Sequence, residues 1–390
     1  MNMMKAWMTR IVAMGAMTMS AFMSGCATHG VGAATAGERG ALLVIGGGLE
    51  DDNAPVYRRF AELARSGARR GEAPRIVIVT TASGDEADAA KGKMESFAVW
   101  CPEIGVDVIG RETASERAVA LIDGASALFF TGGDQKRITA KYRPDDKDSA
   151  EWLAMKRLLA RDGVIAGTSA GAAMMGDVMF WSGRSSAALG IVPSGDRAVP
   201  FDTTIDPDNP PGGDDVVIVG PRIGPGMRML PWAMTDSHFF ERDRIGRLVA
   251  AMEASGTRLA IGVGEDACVE VDLQTGEVVG TSVAASLVVD AAWLQRDGLS
   301  RRGGLARVVQ QGDRVALQRR MTTKFAAPVA RPAGDAKVVE VAEPGQSRQL
   351  ASWRVFVRAA TEMSRVDFGG WSVTAWPDRD NWVGFDVEVP

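Results

Sequence analysis

Residues Gly167-Thr168-Ser169-Ala170-Gly171 set one hydroxyl among small residues, directly after the apolar run Val164-Ile165-Ala166. Small neighbours let a chain turn sharply out of a strand and into a helix. That turn lifts a serine Oγ clear of the sheet and aims backbone N–H groups at whatever it attacks. The pattern therefore fits a nucleophile, although the same turn also serves plain packing. A serine nucleophile needs a base. The chain holds two histidines. His29 lies in a Gly-, Ala- and Thr-rich stretch near the N-terminus, which leaves His238, in Thr235-Asp236-Ser237-His238-Phe239-Phe240. A third group should orient the imidazole. Glu265 and Asp266 follow the apolar run Leu259–Gly264, and Asp236 competes from two residues before the histidine. The order Ser, His, acid differs from the Ser, acid, His order of α/β-hydrolases.

The elements that must hold these groups alternate. Ala41–Ile45 is a short apolar strand running into Gly46-Gly47-Gly48, and Tyr57, Phe60, Leu63 and Ala64 recur at helical spacing behind it. Arg75–Val79, Val106–Ile109 and Ala127–Phe130 repeat the cycle, with helical stretches between them. Buried strands alternating with helices predict an α/β fold: a mostly parallel sheet with helices on both faces. Function in such sheets gathers at the carboxyl ends of the strands. The glycine-rich ends at Gly46–Gly48, Thr131–Gly133 and Gly167–Gly171 should then share one edge. The triple glycine has neither the G-x-G-x-x-G spacing nor a G-K-[ST] ending, so close backbone approach beside the site, or a simple turn, is the expected use.

Eight of the 17 prolines fall within residues 193–231, which reads as an insertion without regular structure. Alternation resumes from Leu259 to about Leu317. Residues 321–347 read as a linker, and 348–390 as a tryptophan-rich β appendage with Trp353-Arg354-Val355-Phe356-Val357 as one of its strands. Those tryptophans are expected to pack the appendage, with polymer stacking as the alternative.

At 390 residues, 46% of them hydrophobic, the chain can bury a large core, and a net charge of -5 with no basic block argues against nucleic acid as a partner. The first 26 residues read as an export signal. Lys5 and Arg10 precede the apolar stretch Ile11–Phe22, which is too short for a span of about 20 residues. It ends in Met23-Ser24-Gly25-Cys26, which resembles a bacterial lipobox with Met23 in the leucine position; Cys26 is the expected lipidation site and 27–39 a tether. An ordinary secretory signal is the alternative. Cys101 and Cys268 remain, with no spacing that decides whether they pair. Without C-x-x-C or H-E-x-x-H, no metal is expected, and no cofactor.

Four motifs carry a resemblance: Phe129–Gln135, Gly167–Ala172, Asp236–Phe239 followed by Arg242, Arg244 and Arg247, and Ile261–Asp266. In this order, over roughly residues 40–317, the chain resembles the cyanophycinases of peptidase family S51, which also includes aspartyl dipeptidase. The resemblance implies a fold like class I glutamine amidotransferases, with serine replacing their cysteine. It implies Ser169 as nucleophile, His238 as general base, Glu265 as the acid, and N–H groups of Gly133 and Ala170 as the oxyanion hole. Gln135, Arg242, Arg244 and Arg247 match substrate-contacting positions. The arginines are expected to begin a helix, where cations oppose the macrodipole unless an anionic substrate group offsets them. Ser237 stands where cyanophycinases usually have glutamine, and Gly264 also departs from their pattern. The implied activity is hydrolysis of cyanophycin, or another β-aspartyl peptide, to β-Asp-Arg dipeptides. Aspartyl or isoaspartyl dipeptidase activity and a non-catalytic polymer-binding lipoprotein are the alternatives. A membrane enters only through the N-terminal lipid, and a homodimer is left open.

Overall fold

Every residue of Ala41–Ile45 (β1) is buried, and the strand ends a row of five parallel strands, with an antiparallel strand on its other side. The chain continues through Ala54–Ser66 (α1), Arg75–Val79 (β2), Glu86–Trp100 (α2), Gly105–Ile109 (β3), Ser115–Gly124 (α3), Ala127–Phe130 (β4), Gln135–Tyr142 (α4), Ala150–Ala160 (α5) and Val164–Thr168 (β5). The computed structural model describes residues 39–201, 216–317, 327–339 and 351–390. Leu43 and Ile45 face Tyr57 and Phe60 of α1 and Phe97 of α2. Leu42 and Val44 belong with Ile138 of α4 and Trp152 and Leu158 of α5 on the other face. Period-two alternation along β1 thus fills two layers of core, and each buried leucine or phenylalanine contributes about 1.5–3 kcal/mol.

Ala170–Ala173 (α6), Val178–Ser182 (β6), Ser185–Ala188 (α7), Arg197–Pro200 (β7), Val216–Val219 (β8) and Arg222–Pro225 (β9) follow. The proline-rich region is therefore not wholly irregular: β7 pairs with β8 and β9 with β6. Pro200 and Pro225 are strand-final, where a missing N–H costs no interior ladder bond. Residues 202–215, including most of the expected insertion's Pro–Gly cluster, lie outside the described residues.

Ala233–Asp236 (β10), Ile245–Ser255 (α8) and Leu259–Val263 (β11) complete one more parallel unit. The expected alternation then stops. Cys268–Asp272 (β12), Glu277–Gly280 (β13), Ser286–Asp290 (β14), Gln295–Asp297 (β15), Ser300–Val309 (β16) and Arg314–Ala316 (β17) follow one another without a helix. Three of them extend the central sheet antiparallel, giving the order β17-β13-β12-β1-β5-β4-β2-β3.

Lys337–Val338 (β18), Ala351–Arg358 (α9), Ser364–Asp367 (β19), Ser372–Pro377 (β20) and Val383–Glu388 (β21) end the chain. The strand expected at Trp353–Val357 is a helix. Ser352, Val355, Phe356 and Ala359 are buried at helical spacing, a periodicity that five alternating residues could not reveal. β21 pairs with β16, so the tail joins a second sheet of order β10-β11-β14-β16-β21-β20-β19-β18. The described part of the expected linker is tied to this sheet: Val329 N–H donates to Asp378 Oδ2 at 2.8 Å, and its carbonyl accepts from Trp376 Nε1 at 2.9 Å. Trp371, Trp376 and Trp382 are buried in the core.

Candidate active site

β5 delivers Ser169 into a turn with φ 53° and ψ −106°, a region a non-glycine residue occupies at a cost of about 1–3 kcal/mol. Hydrogen bonds hold it there. Its N–H donates to Ile45 O at 3.0 Å, and its carbonyl accepts from Ala172 and Ala173 at 3.1 and 2.9 Å. His238 follows β10 in the same way, with φ 45° and its N–H donating to Gly46 O at 2.7 Å. Asp266, next to Glu265 past the end of β11, has φ 55° and donates to Gly47 O at 2.8 Å. Three consecutive carbonyls at the end of β1 thus hold the three loops that carry the serine, the histidine and the acid.

The side chains meet in sequence. Ser169 Oγ lies 2.8 Å from His238 Nε2, and His238 Nδ1 lies 2.7 Å from Glu265 Oε1. A carboxylate at Nδ1 selects the tautomer protonated there, which leaves Nε2 to accept the serine proton. Burial lowers the His238 pKa below the ordinary value; the Glu265 bond opposes this, and the nearby charges of Arg242 and Arg244 add to it. A neutral imidazole is the form that works as a base.

Gly47 explains part of the triple glycine. With φ +101° it adopts a conformation that L side chains avoid, and a Cβ there would lie 2.3 Å from His238 Cε1. The imidazole packs directly on this backbone. Asn53 has no mark in the sequence, and Asp266, which stands there as a candidate orienting acid, has a different use. Asn53 Nδ2 donates to Asp266 O at 2.9 Å and to its Oδ1 at 2.8 Å, and Glu50 N–H donates to the same Oδ1 at 3.0 Å. These bonds lock the turn bearing Glu265, and nothing in the spacing of residues 53 and 266 announces them.

Ala170 opens α6, so its N–H is among the groups that a helix start leaves without an intrahelical partner. The turn after β4 lies against the serine: a Cβ on Gly132 would sit 3.3 Å from that of Ser169. Gly133, at φ +138°, presses on Ala82, whose carbonyl oxygen would be 2.0 Å from an added Cβ. Asp134 N–H donates to that carbonyl at 2.9 Å. Two backbone segments flanking Ser169 Oγ are the arrangement an oxyanion site requires.

The four expected substrate residues divide. Gln135 Nε2 donates to the carbonyls of Phe180 and Trp181, so its amide ties α4 to β6. α8 starts at Ile245, so Arg242 and Arg244 precede the helix and only Arg247 lies within it. Arg247 Nε donates to Asp236 Oδ2 at 2.8 Å and its Nη2 to Oδ1; Arg244 Nη1 reaches Oδ1 at 3.1 Å. Arg247 Nη1 also donates to Gly183 O at 2.7 Å, with the guanidinium over the Phe180 ring at 4.5 Å. The anion that offsets these cations at the helix start is therefore Asp236, a residue of the chain itself, and not a substrate group. The same bonds withdraw Asp236 from competition for the histidine. Arg242 is exposed and makes no side-chain hydrogen bond or ion pair among the described residues.

Cys101 and Cys268 are both free and buried, and burial pushes the Cys101 thiol up to about 11. Among the described residues, no group of three or more His, Cys, Asp or Glu side chains is placed to hold a metal ion. Cys26 lies outside the described residues.

No family model matches the chain. A cyanophycinase of Nostoc sp. is 29% identical over 236 residues, covering 58% of this chain and 66% of the relative. A cyanophycinase of Synechococcus elongatus is 26% identical over 239 residues, covering 60% and 62%. The chain is similar to cyanophycinases. It spans just under two thirds of the length of these relatives. Among solved structures, a peptidase from an acI-B1 actinobacterium aligns with TM-score 0.46 and 15% identity, covering 72% of this chain and 98% of that one.

Proposed function

We propose that the protein is an exported serine exopeptidase that hydrolyses cyanophycin to β-Asp-Arg dipeptides through an acyl-enzyme. The observation that most supports this reading is the 2.8 Å approach of Ser169 Oγ to a His238 whose other nitrogen is held by Glu265 at 2.7 Å. Similarity to cyanophycinases supplies the substrate class.

In this reading Ser169 Oγ attacks the scissile carbonyl carbon while its proton passes to His238 Nε2. The oxygen gains negative charge and accepts hydrogen bonds from Gly133 and Ala170 N–H; one such donor is worth about 3 kcal/mol. Glu265 stabilises the imidazolium. His238 then gives its proton to the departing amine, and the C–N bond breaks to leave an ester on Ser169. Neutral His238 takes a proton from water, whose oxygen attacks the ester. Return of that proton to Ser169 Oγ frees the acid product.

Export and an acyl anchor on Cys26 belong to the same proposal, supported by the basic, then apolar, then small-residue order of residues 1–26. Among the described residues, no helix is long and apolar enough to cross a membrane.

The decisive measurement is β-Asp-Arg release from cyanophycin by the wild-type protein and by Ser169→Ala. Release only by the wild type is expected, and equal release overturns the nucleophile assignment. Isoaspartyl dipeptides assayed beside the polymer separate the dipeptidase alternative. Cys26→Ser should abolish labelling by a radiolabelled fatty acid in cells; retained labelling overturns the anchor.

A further inference from the structure

Beside the turn that carries His238 lies a cavity of about 740 Å³. Three stretches distant in sequence line it: Gly183–Ser186, Glu241–Arg244 and Asp367–Trp371. The first two are joined by Ser185 Oγ donating to Asp243 O and by the Arg247 bond to Gly183. The third is the turn between β19 and β20. The tail also touches the second stretch directly, since Ser352 Oγ donates to Asp243 Oδ1 at 3.2 Å. Arg242 connects the cavity to the catalytic turn through its N–H, which donates to His238 O at 3.2 Å.

Three arginines and three acids line this space, but they are not equally available. Arg244 is engaged by Asp236 and Ser237 O. Asp367 accepts from Arg365 at 2.8 and 3.0 Å, and Asp243 accepts from Ser352. Arg184 and Arg242 are exposed and make no side-chain hydrogen bond or ion pair among the described residues. Glu241 has a buried Oε2 without a partner among the described residues, and burial pushes its carboxyl above the usual range, toward the form that donates a hydrogen bond. Among the described residues, what a ligand meets is therefore two guanidinium forks without a partner and a carboxyl leaning neutral. Guanidinium forks match carboxylate geometry. Phe368 stacks on Trp371, centroids 4.3 Å apart and planes 20° apart, and forms a flat apolar wall.

Arg242 is already an expected substrate contact; we propose that Arg184 and the Phe368 wall join it to make this cavity a subsite for the part of a peptide substrate that carries free carboxylates, with Arg184 on a carboxylate and the adjoining side chain against Phe368. The C-terminal segment thereby takes a direct part in substrate recognition. The word substrate rests on the peptidase reading above.

Calorimetric titration of full-length Ser169→Ala protein tests it, with β-Asp-Arg and with the same dipeptide amidated at both carboxylates. The dipeptide should bind at least tenfold tighter than the diamide. Adding Arg184→Ala should weaken the dipeptide about tenfold, the worth of one charge-assisted hydrogen bond at an open site, and leave the diamide unchanged. Arg184→Lys should restore most of the loss, and Phe368→Ala should weaken both ligands. Arg184 is exposed and has no side-chain partner to lose among the described residues, so its variants should unfold at the parent's temperature. Unchanged dipeptide binding by Arg184→Ala overturns the proposal. So does equal binding of the diamide, or no binding of the dipeptide. Because turnover plays no part, binding without cleavage by the Ser169 protein would remove the peptidase reading and support the subsite. Cleavage with an unaltered Arg184→Ala titration would remove the subsite alone.

Discussion

His238 of the Ser169–His238–Glu265 set lies in sequence between Asp236 and its partners Arg244 and Arg247, yet the two sets use their charges in opposite ways. Glu265 keeps 36% of its side chain exposed and His238 13%, while Asp236 is 0% and Arg247 5% exposed. In the buried cluster nearly every donor and acceptor is committed: both Asp236 oxygens take arginine N–H groups, and Arg247 also reaches Gly183 O. In the Ser169–His238–Glu265 set, the hydrogen bonds run in one line and end at the Ser169 Oγ. A filled cluster holds β10 to the start of α8, whereas an unfilled one beside solvent can exchange a proton with a ligand. Residue types alone do not separate these cases; burial and remaining hydrogen-bond capacity do.

The comparison breaks first at the nucleophile. Ser169→Ala should lower kcat by about 10^6-fold, as loss of a triad serine does elsewhere, while the chemical unfolding midpoint stays unchanged or rises. A rise would follow from removing a side chain held at φ 53° only if alanine fits that turn more easily. Glu265→Gln comes next. It keeps the shape but no longer holds the tautomer or the imidazolium charge, so kcat should fall by about 10^3- to 10^4-fold. Retained turnover in either variant, measured by single-turnover kinetics, would place both residues on the structural side of the comparison.

What could be read before folding follows the same division. The elbow at Ser169, the histidine at a strand end and the β-α alternation through β5 depend on local residue type and period. They show in one dimension. The role of Asp236 does not, because two residues before His238 it stands as a competing orienting acid until its arginine partners are placed. The triple glycine reads as close approach or a simple turn, but the service of the Ile45, Gly46 and Gly47 carbonyls to three separate loops is a tertiary fact. Trp353–Val357 alternates over five residues and still forms a helix, since burial of Ser352 and Ala359 sets the period. β21 reaches β16 across more than 70 residues, and pairing at that range leaves no local trace.

Asp236→Ala should strike the other assembly. It strands two guanidinium groups, one of them 5% exposed, and removing one member of a buried pair costs about 3–5 kcal/mol. Urea unfolding should show the loss, and the protein that remains folded should keep a kcat within about tenfold of wild type. A kcat collapse without loss of stability would instead make Asp236 part of the chemistry.

The smallest effect concerns the arginine charges that act on His238. Burial is the largest cause of the lowered His238 pKa, and the charges of Arg242 and Arg244 add to it. Only neutral imidazole accepts the Ser169 proton, so kcat/KM should be flat above the histidine's depressed value and fall as pH drops through it. The acid limb should therefore lie below the ordinary pKa of about 6.5. Arg242→Ala removes a positive charge that disfavours imidazolium, so the limb should move up toward 6.5 by less than about one unit, since an exposed charge is heavily screened. Adding salt should shift the wild-type limb in the same direction and leave the variant's nearly in place. A limb that moves down in Arg242→Ala would mean that this arginine does not act on His238 through its charge.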